Sequence, residues 1–258
     1  MVPLSQCHPN ILNNMIYPDW PAPDTIKAVS TTRHGGFSSA PYNELNLGDH
    51  IGDDSDTVIK NRQSLIAQAG LPESPRWLKQ VHGTKVSLAS NWHLNDEADA
   101  IVSDHPNQVC TVMTADCLPI LLCNHQGSIV GAIHAGWRGL ASGIIEKTLL
   151  QFKCPNQQVI AWLGPAIGPE QFEVGSDVYK TFTDYSSQAI QAFQQTDPDH
   201  YIADIYLLAK QRLNACGVNS IFGGEHCTVS DSSQFFSYRR DGITGRMASM
   251  IWITDNNV

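Results

Sequence analysis

Residues 109–139 read VCTVMTADCLPILLCNHQGSIVGAIHAGWRG. Two runs in this stretch, Val109 to Thr114 and Ser128 to His134, are apolar and rich in β-branched residues, so each is predicted as a strand. Both run into turns loaded with reactive groups, ADCLP and HAGWRG. The second turn leads into a predicted helix from about Leu140 to Phe152, with Leu140, Ile144, Ile145 and Leu149 on one face. Working outward, a strand at Trp77 to Val81 ends in the same manner at VHG, and further strands are expected at Ile26 to Arg33 and Val159 to Leu163. Helices are expected near Ser176 to Phe182 and Asp204 to Cys216. A closing hairpin pairs FFSYRR with RMASMIWI around Asp241 and Gly242, a turn dipeptide. Strands and helices mix without strict alternation, so the expected fold is α+β: a layered single domain with a mixed β-sheet and packed helices.

Between the first strand and the next helix lies GGFSSAPYNELNLGDHIGDD, a Gly/Asn/Asp-rich loop long enough to suggest function. Asp56 is the expected cap of a helix running to Ala69, with Gly70 as its stop. The inward stripe of that helix is Val58, Arg62, Leu65 and Ala69, which puts the cation of Arg62 on an apolar face. A snorkelling or salt-bridged arginine accounts for that placement.

The chain has 258 residues, and nothing in its composition marks an internal linker, so one domain over residues 1–258 is expected. Residues 1–24, rich in proline, read as an irregular lead-in over the surface. A net charge of -9 argues against duplex DNA or anionic lipid as a main partner. Apolar runs are far shorter than the roughly 20 residues that span a bilayer, and the start lacks a basic segment followed by an apolar one. A soluble cytoplasmic protein with no membrane contact and no obligate protein partner is expected. Seven cysteines without a CxxC pair disfavour a disulfide framework or zinc ribbon; most read as small core residues.

His82, Cys117 and His134 each follow a predicted strand beside a small or turn-forming residue. Two histidines and one cysteine leave a tetrahedral zinc one open position, the catalytic arrangement. Hydrogen-bonded core histidines and a buried thiol explain the same residues without a metal, since separations of 35 and 17 positions match no local metal motif. Asp116 adjoins Cys117 and is placed to orient a ligand, move a proton or make a turn hydrogen bond. Arg138 in GWRGLASG stands at a helix start next to His134, where an anion would be favoured, and Trp137 beside it suits packing.

The blocks STTRHGG, LNLGDHIGDD, NRQSL, QVHGTKV, ADAIVSD, MTADCLPILL, GAIHAGWRG, GPAIGPEQFEVG and FFSYRRDGITGRMA, in this order, resemble the YfiH-like family, once labelled multicopper polyphenol oxidoreductase laccase. The similarity runs from about Ile26 to Ile253; Phe37 and Ile51 stand where valine is common. The resemblance implies an α/β fold with zinc held by His82, Cys117 and His134. It also implies phosphorolysis of adenosine, inosine and methylthioadenosine, and hydrolytic deamination of adenosine. Arg62 falls where the family places an anion-binding arginine, and Asn46, Arg138 and Arg239 join it as candidate ligands of nucleoside or phosphate. Cys117, Asp116 and Glu173 are the candidates for the chemistry itself, Glu173 suiting a surface ion pair as well. Copper is expected to bind the same ligands, although a multicopper oxidase would need HxH pairs and the ten histidines form none. Other readings are a cysteine hydrolase with Cys117 as nucleophile, acting on peptidoglycan precursors, and a nucleoside-binding module without turnover.

Overall fold

The computed structural model describes residues 11–12 and 14–255. Its strands are β1 (Ile11–Leu12), β2 (Met15–Ile16), β3 (Ile26–Thr31), β4 (Val86–Leu88), β5 (Ala100–Ser103), β6 (Cys110–Thr114) and β7 (Leu118–Asn124). They continue with β8 (Val130–Ala135), β9 (Val159–Leu163), β10 (Glu173–Gly175), β11 (Phe193–Gln195), β12 (His200–Ala203), β13 (Ser220–Gly223) and β14 (Met247–Ile253). The helices are α1 (Ser55–Ala69), α2 (Trp137–Ala141), α3 (Ile144–Leu149), α4 (Ser176–Tyr185), α5 (Ile205–Ala215) and α6 (Tyr238–Asp241).

The strands form three sheets, ordered β1-β2-β3-β14-β6, β13-β9-β7-β8-β5-β4 and β10-β12-β11. The six-stranded sheet is mixed, with parallel pairs at β13·β9 and β4·β5 and antiparallel pairs between. The fold is α+β, as the mixed order of elements predicts.

Layering follows from which side chains each strand buries. In β7, Leu118, Ile120 and Leu122 pack with Leu140, Ile144, Ile145 and Leu149 and with Leu208, Ala209 and Leu213 of α5. Leu121 and Cys123 point the other way, into a core shared with Val112 of β6 and Ile251 of β14. The far side of the five-stranded sheet packs Met113, Ala248 and Met250 against Leu45, Leu47 and Leu65. Helices, sheet, sheet and α1 therefore stack in four layers. β7 is not among the strands expected from sequence, because its first residues, Leu118 and Pro119, belong to ADCLP, which reads as a turn. Emptying a core position of this strand is costly: Leu121→Ala removes a fully buried side chain, a change that typically costs roughly 2–5 kcal/mol.

Other expectations shift for local physical reasons. The cap of α1 is Asp54, not Asp56: its carboxylate accepts from the N–H and hydroxyl of Thr57 at 2.8 and 2.7 Å. The buried positions of that helix are Val58, Asn61 and Leu65, with Arg62 at the margin. The expected helix over 140–152 begins earlier and breaks in two at Gly143, whose φ of +92° favours glycine. Residues 77–81 form no strand and make one isolated bridge, at Lys79; Gln80 turns its amide to Met113, accepting the backbone N–H and donating to the carbonyl, both at 2.7 Å. The closing hairpin is absent: Ser237 caps the short helix α6, and β14 lies between β3 and β6 with both edges paired. Of the lead-in, Met15 and Ile16 are buried in a sheet strand and are not a surface trace; residues 1–10, with Cys7, lie outside the described residues. Among the described residues, no helix is long and apolar enough to cross a membrane.

Candidate metal centre and its cleft

One buried carboxylate builds most of the site. Asp99, fully buried and one residue before β5, accepts from three successive backbone N–H groups: Val81 at 3.3 Å, His82 at 2.9 Å and Gly83 at 2.7 Å. The chain wraps round the carboxylate, and His82 takes a left-handed φ of +59°. The same Asp99 lies opposite the end of β8. Its carbonyl accepts the His134 N–H at 2.7 Å and its Oδ1 lies 2.8 Å from His134 Nδ1. With Nδ1–H donating to Asp99, the Nε2 lone pair of His134 faces away from it. Burial alone would raise the Asp99 carboxyl, but the hydrogen bond and charge of His134 and the backbone donors hold it below the usual carboxylate range.

Cys117 comes from the link between β6 and β7, which is also the crossing from one large sheet to the other. Asp116 makes that crossing at φ +88°. Its carboxylate ties the link down, accepting from the Thr228 hydroxyl and the Arg239 N–H, both at 2.6 Å. Gly136 supplies the clearance: a Cβ there would lie 2.8 Å from His82 Cδ2 and 3.2 Å from Cys117 Sγ.

The metal-ligating atoms of His82, Cys117 and His134 all lie within 4.8 Å of one another. Cys117 Sγ stands 3.7 Å from His82 Nε2, and the two imidazole rings meet edge-on at 4.7 Å between centroids. Zinc bonds of about 2.0–2.3 Å give donor–donor edges of roughly 3.3–3.6 Å in a tetrahedron, so a small contraction fits an ion. Burial pushes the Cys117 thiol up, but the charge of His134 and hydrogen bonds from both histidines bring it down to about 6. For His134, burial lowers the pKa, while Cys117 and then Asp99 raise it to about 9. These opposed shifts favour a thiolate beside an imidazolium, the charge state that a cation shared by the donors would replace. His134 is buried, Cys117 half-buried and His82 exposed, which leaves one side of the set open.

That side is a cleft of about 410 Å³, walled by Gln80, Met113, Thr114, Ala115, His50, Tyr238 and Arg246 besides the three donors. A neighbouring hollow of about 340 Å³ shares His50, Gln80 and Met113. Arg62 lines the second hollow, not the first. It donates to the Leu47 carbonyl at 2.9 and 3.0 Å, pairs with Asp49 at 3.3 Å and stacks over Trp77 at 4.3 Å.

The remaining sequence candidates stand elsewhere. Asn46 is fully buried and spends its amide on Gly48, Asp53 and the Arg246 N–H. Arg138 is exposed over the ring of Trp137, at 4.4 Å. Arg239 donates to the carbonyls of Gln171 and Glu173 at 3.3 and 3.0 Å, and Glu173 is exposed on β10. None of these four lines the cleft. Sequence reading passed over Asp99 and Arg246. The signal for Asp99 was a carboxylate embedded in the apolar run of ADAIVSD, and for Arg246 a single cation at the entry of the final strand.

The profile of the family described as multi-copper polyphenol oxidoreductase laccase matches residues 27–254. A relative from Escherichia coli (strain K12), named purine nucleoside phosphorylase YfiH, is 51% identical over 243 residues, covering 94% of this chain and all of its own. Among solved structures, a Neisseria meningitidis protein superposes with a TM-score of 0.91 at 46% identity, covering 94% of this chain and 100% of the other. YlmD from Geobacillus stearothermophilus does so with a TM-score of 0.89 at 30% identity, covering 94% and 97%.

Proposed function

The chain belongs to the family described as multi-copper polyphenol oxidoreductase laccase, and within it we propose a zinc-dependent, cytoplasmic purine nucleoside phosphorylase that also deaminates adenosine. Adenosine, inosine and methylthioadenosine are its proposed nucleosides. The name carried by the Escherichia coli relative supports the phosphorylase part of this reading. The observation that carries the metal part is the open set of two imidazoles and one thiolate at a cleft, braced by a buried carboxylate. Copper suits the same donors. A multicopper oxidase needs further histidines, and among the described residues His82, Cys117 and His134 form the one group of three donors close enough to share an ion.

When bound, zinc supplies Lewis acidity to the oxygen nucleophile, phosphate in one reaction and water in the other. The chain's own residues do the rest. Asp99 keeps the proton on His134 Nδ1 and so fixes which ring nitrogen faces the cleft. Asp116 holds the turn that presents Cys117; both its oxygens are engaged, so it acts as a positioning residue. Met113 and Ala115 give an apolar floor and Tyr238 an aromatic wall, which together suit a purine ring. In phosphorolysis a phosphate oxygen forms the new bond to C1′ as the C1′–N bond breaks. The purine leaves with the electron pair and takes a proton from solvent. Arg62, committed to Asp49 and Leu47, shapes the loop at the cleft mouth.

Cys117→Ala tests the shared site. Phosphorolysis and deamination are expected to vanish together with the bound metal, at a stability cost of about 1 kcal/mol. Both rates, metal content and melting temperature are measured on one preparation. Either activity persisting near the wild-type rate in metal-free protein overturns the reading.

A further inference from the structure

The polar groups of the cleft are mostly spoken for. Gln80 spends its amide on Met113, and His82, Cys117 and His134 point at one another. Arg246 is different. Its Nη1 donates to the carbonyls of Thr244 and Gly245, both at 3.0 Å, and among the described residues no carboxylate pairs with its guanidinium. A guanidinium stays charged throughout the ordinary pH range and offers five donors in a planar fork.

The surroundings hold this arginine in place from three sides. Asn46 Oδ1 accepts the Arg246 N–H at 3.0 Å, and the Arg246 carbonyl accepts the Leu47 N–H at 3.2 Å. Gly48 leaves room for the stem, since a Cβ there would meet Arg246 Cγ at 2.9 Å. Residues 46–48 thus form a cradle whose backbone and buried amide fix a cation on the wall of the cleft that contains the three donors; among the described residues it makes no ion pair with a carboxylate, Cys117 and Asp116 acting on it only through their charge. Such pre-set positive charge is what an incoming oxyanion requires, because little reorganisation is needed when it binds.

We infer that Arg246 is the anion anchor of this cleft, seating the inorganic phosphate that attacks the nucleoside, with Asn46 as its positioning residue. This rests on the phosphorylase reading for the phosphate's role, though not for the binding itself. Arg62, which the sequence suggests for that task, pairs with Asp49 and lines the neighbouring hollow.

The test uses inorganic phosphate on the metal-loaded full chain. Calorimetric titration without nucleoside should show phosphate binding about ten-fold or more weaker in Arg246→Gln than in wild type. In base release from inosine, the KM for phosphate should rise by a similar factor while the KM for inosine moves less than about two-fold. Asn46→Ala should shift the phosphate KM in the same direction by less. Arg246→Lys keeps the charge and the stem but loses the fork, so it carries the test if the glutamine variant does not fold, with phosphate binding several-fold weaker. Wild-type phosphate affinity in either Arg246 variant overturns the assignment. If wild type binds phosphate through Arg246 yet releases no base, the anchor stands and the phosphorylase reading falls.

Discussion

Two aspartates support the candidate metal set of His82, Cys117 and His134 from opposite sides, and they do so differently. Asp99, on the histidine side, is fully buried, touches His134 directly and gathers three backbone N–H groups around His82. Asp116, on the cysteine side, is half-buried and reaches away from the donors to Thr228 and Arg239. The first sets the charge and tautomer of a ligand; the second sets only where a ligand turn sits. The difference teaches that adjacency in sequence is a poor guide to influence on a site: the aspartate beside Cys117 touches none of the candidate donors through its carboxylate, whereas the one 18 positions away holds His134.

Replacing Asp99 should have the largest effect. Asp99→Ala takes the hydrogen-bond partner from buried His134 Nδ1 and leaves three N–H groups without their acceptor, a loss of roughly 3–5 kcal/mol in urea unfolding. Metal affinity should fall by about 10–100-fold, as for other orienting carboxylates. Asp99→Ala with wild-type stability and metal content would erase the contrast.

A second test reads charge on the metal-free protein. With the Cys117 thiol brought down to about 6 by the neighbouring histidines, its alkylation rate should rise through that pH and level off by about pH 8. Buried Cys110 and Cys123, both pushed up by burial, should stay inert. Asp99→Asn removes a charge that raises the pKa of His134, so less imidazolium remains to stabilise the thiolate and the Cys117 midpoint should move to higher pH. Asp116→Asn should leave it within experimental error. The smallest effect is on stability in that last variant: one hydrogen bond to the link is lost, about 1 kcal/mol by thermal unfolding, with metal content unchanged.

Much of the scaffold was legible in sequence because local rules decide it. Ile26–Thr31, Val159–Leu163 and the helices near 176 and 205 carry ordinary periodicity and caps, and they form close to where expected. β7 was hidden because Cys117 and Pro119 mark a turn at its start. The three donors were legible as reactive residues beside turns. What brings them together was not: strand register sets Pro119 opposite His134 and Ala100 opposite Ile133, which places Asp99 next to the His134 ring. Register of this kind depends on long-range pairing that no short window contains. Arg246 was missed for a related reason, since its cradle is built by residues about 200 positions earlier.

Gln80 has a consequence for assembly. β6 ends the five-stranded sheet, and the N–H and carbonyl of Met113 on its outer side would otherwise invite a strand from another molecule. The Gln80 amide satisfies both, while Arg76 bridges the same edge at Cys110 and donates its N–H to the carbonyl of Val109. A side chain thus imitates the missing strand. It blocks intermolecular sheet growth along the cleft wall, yet, being no strand itself, leaves the cleft open to small molecules.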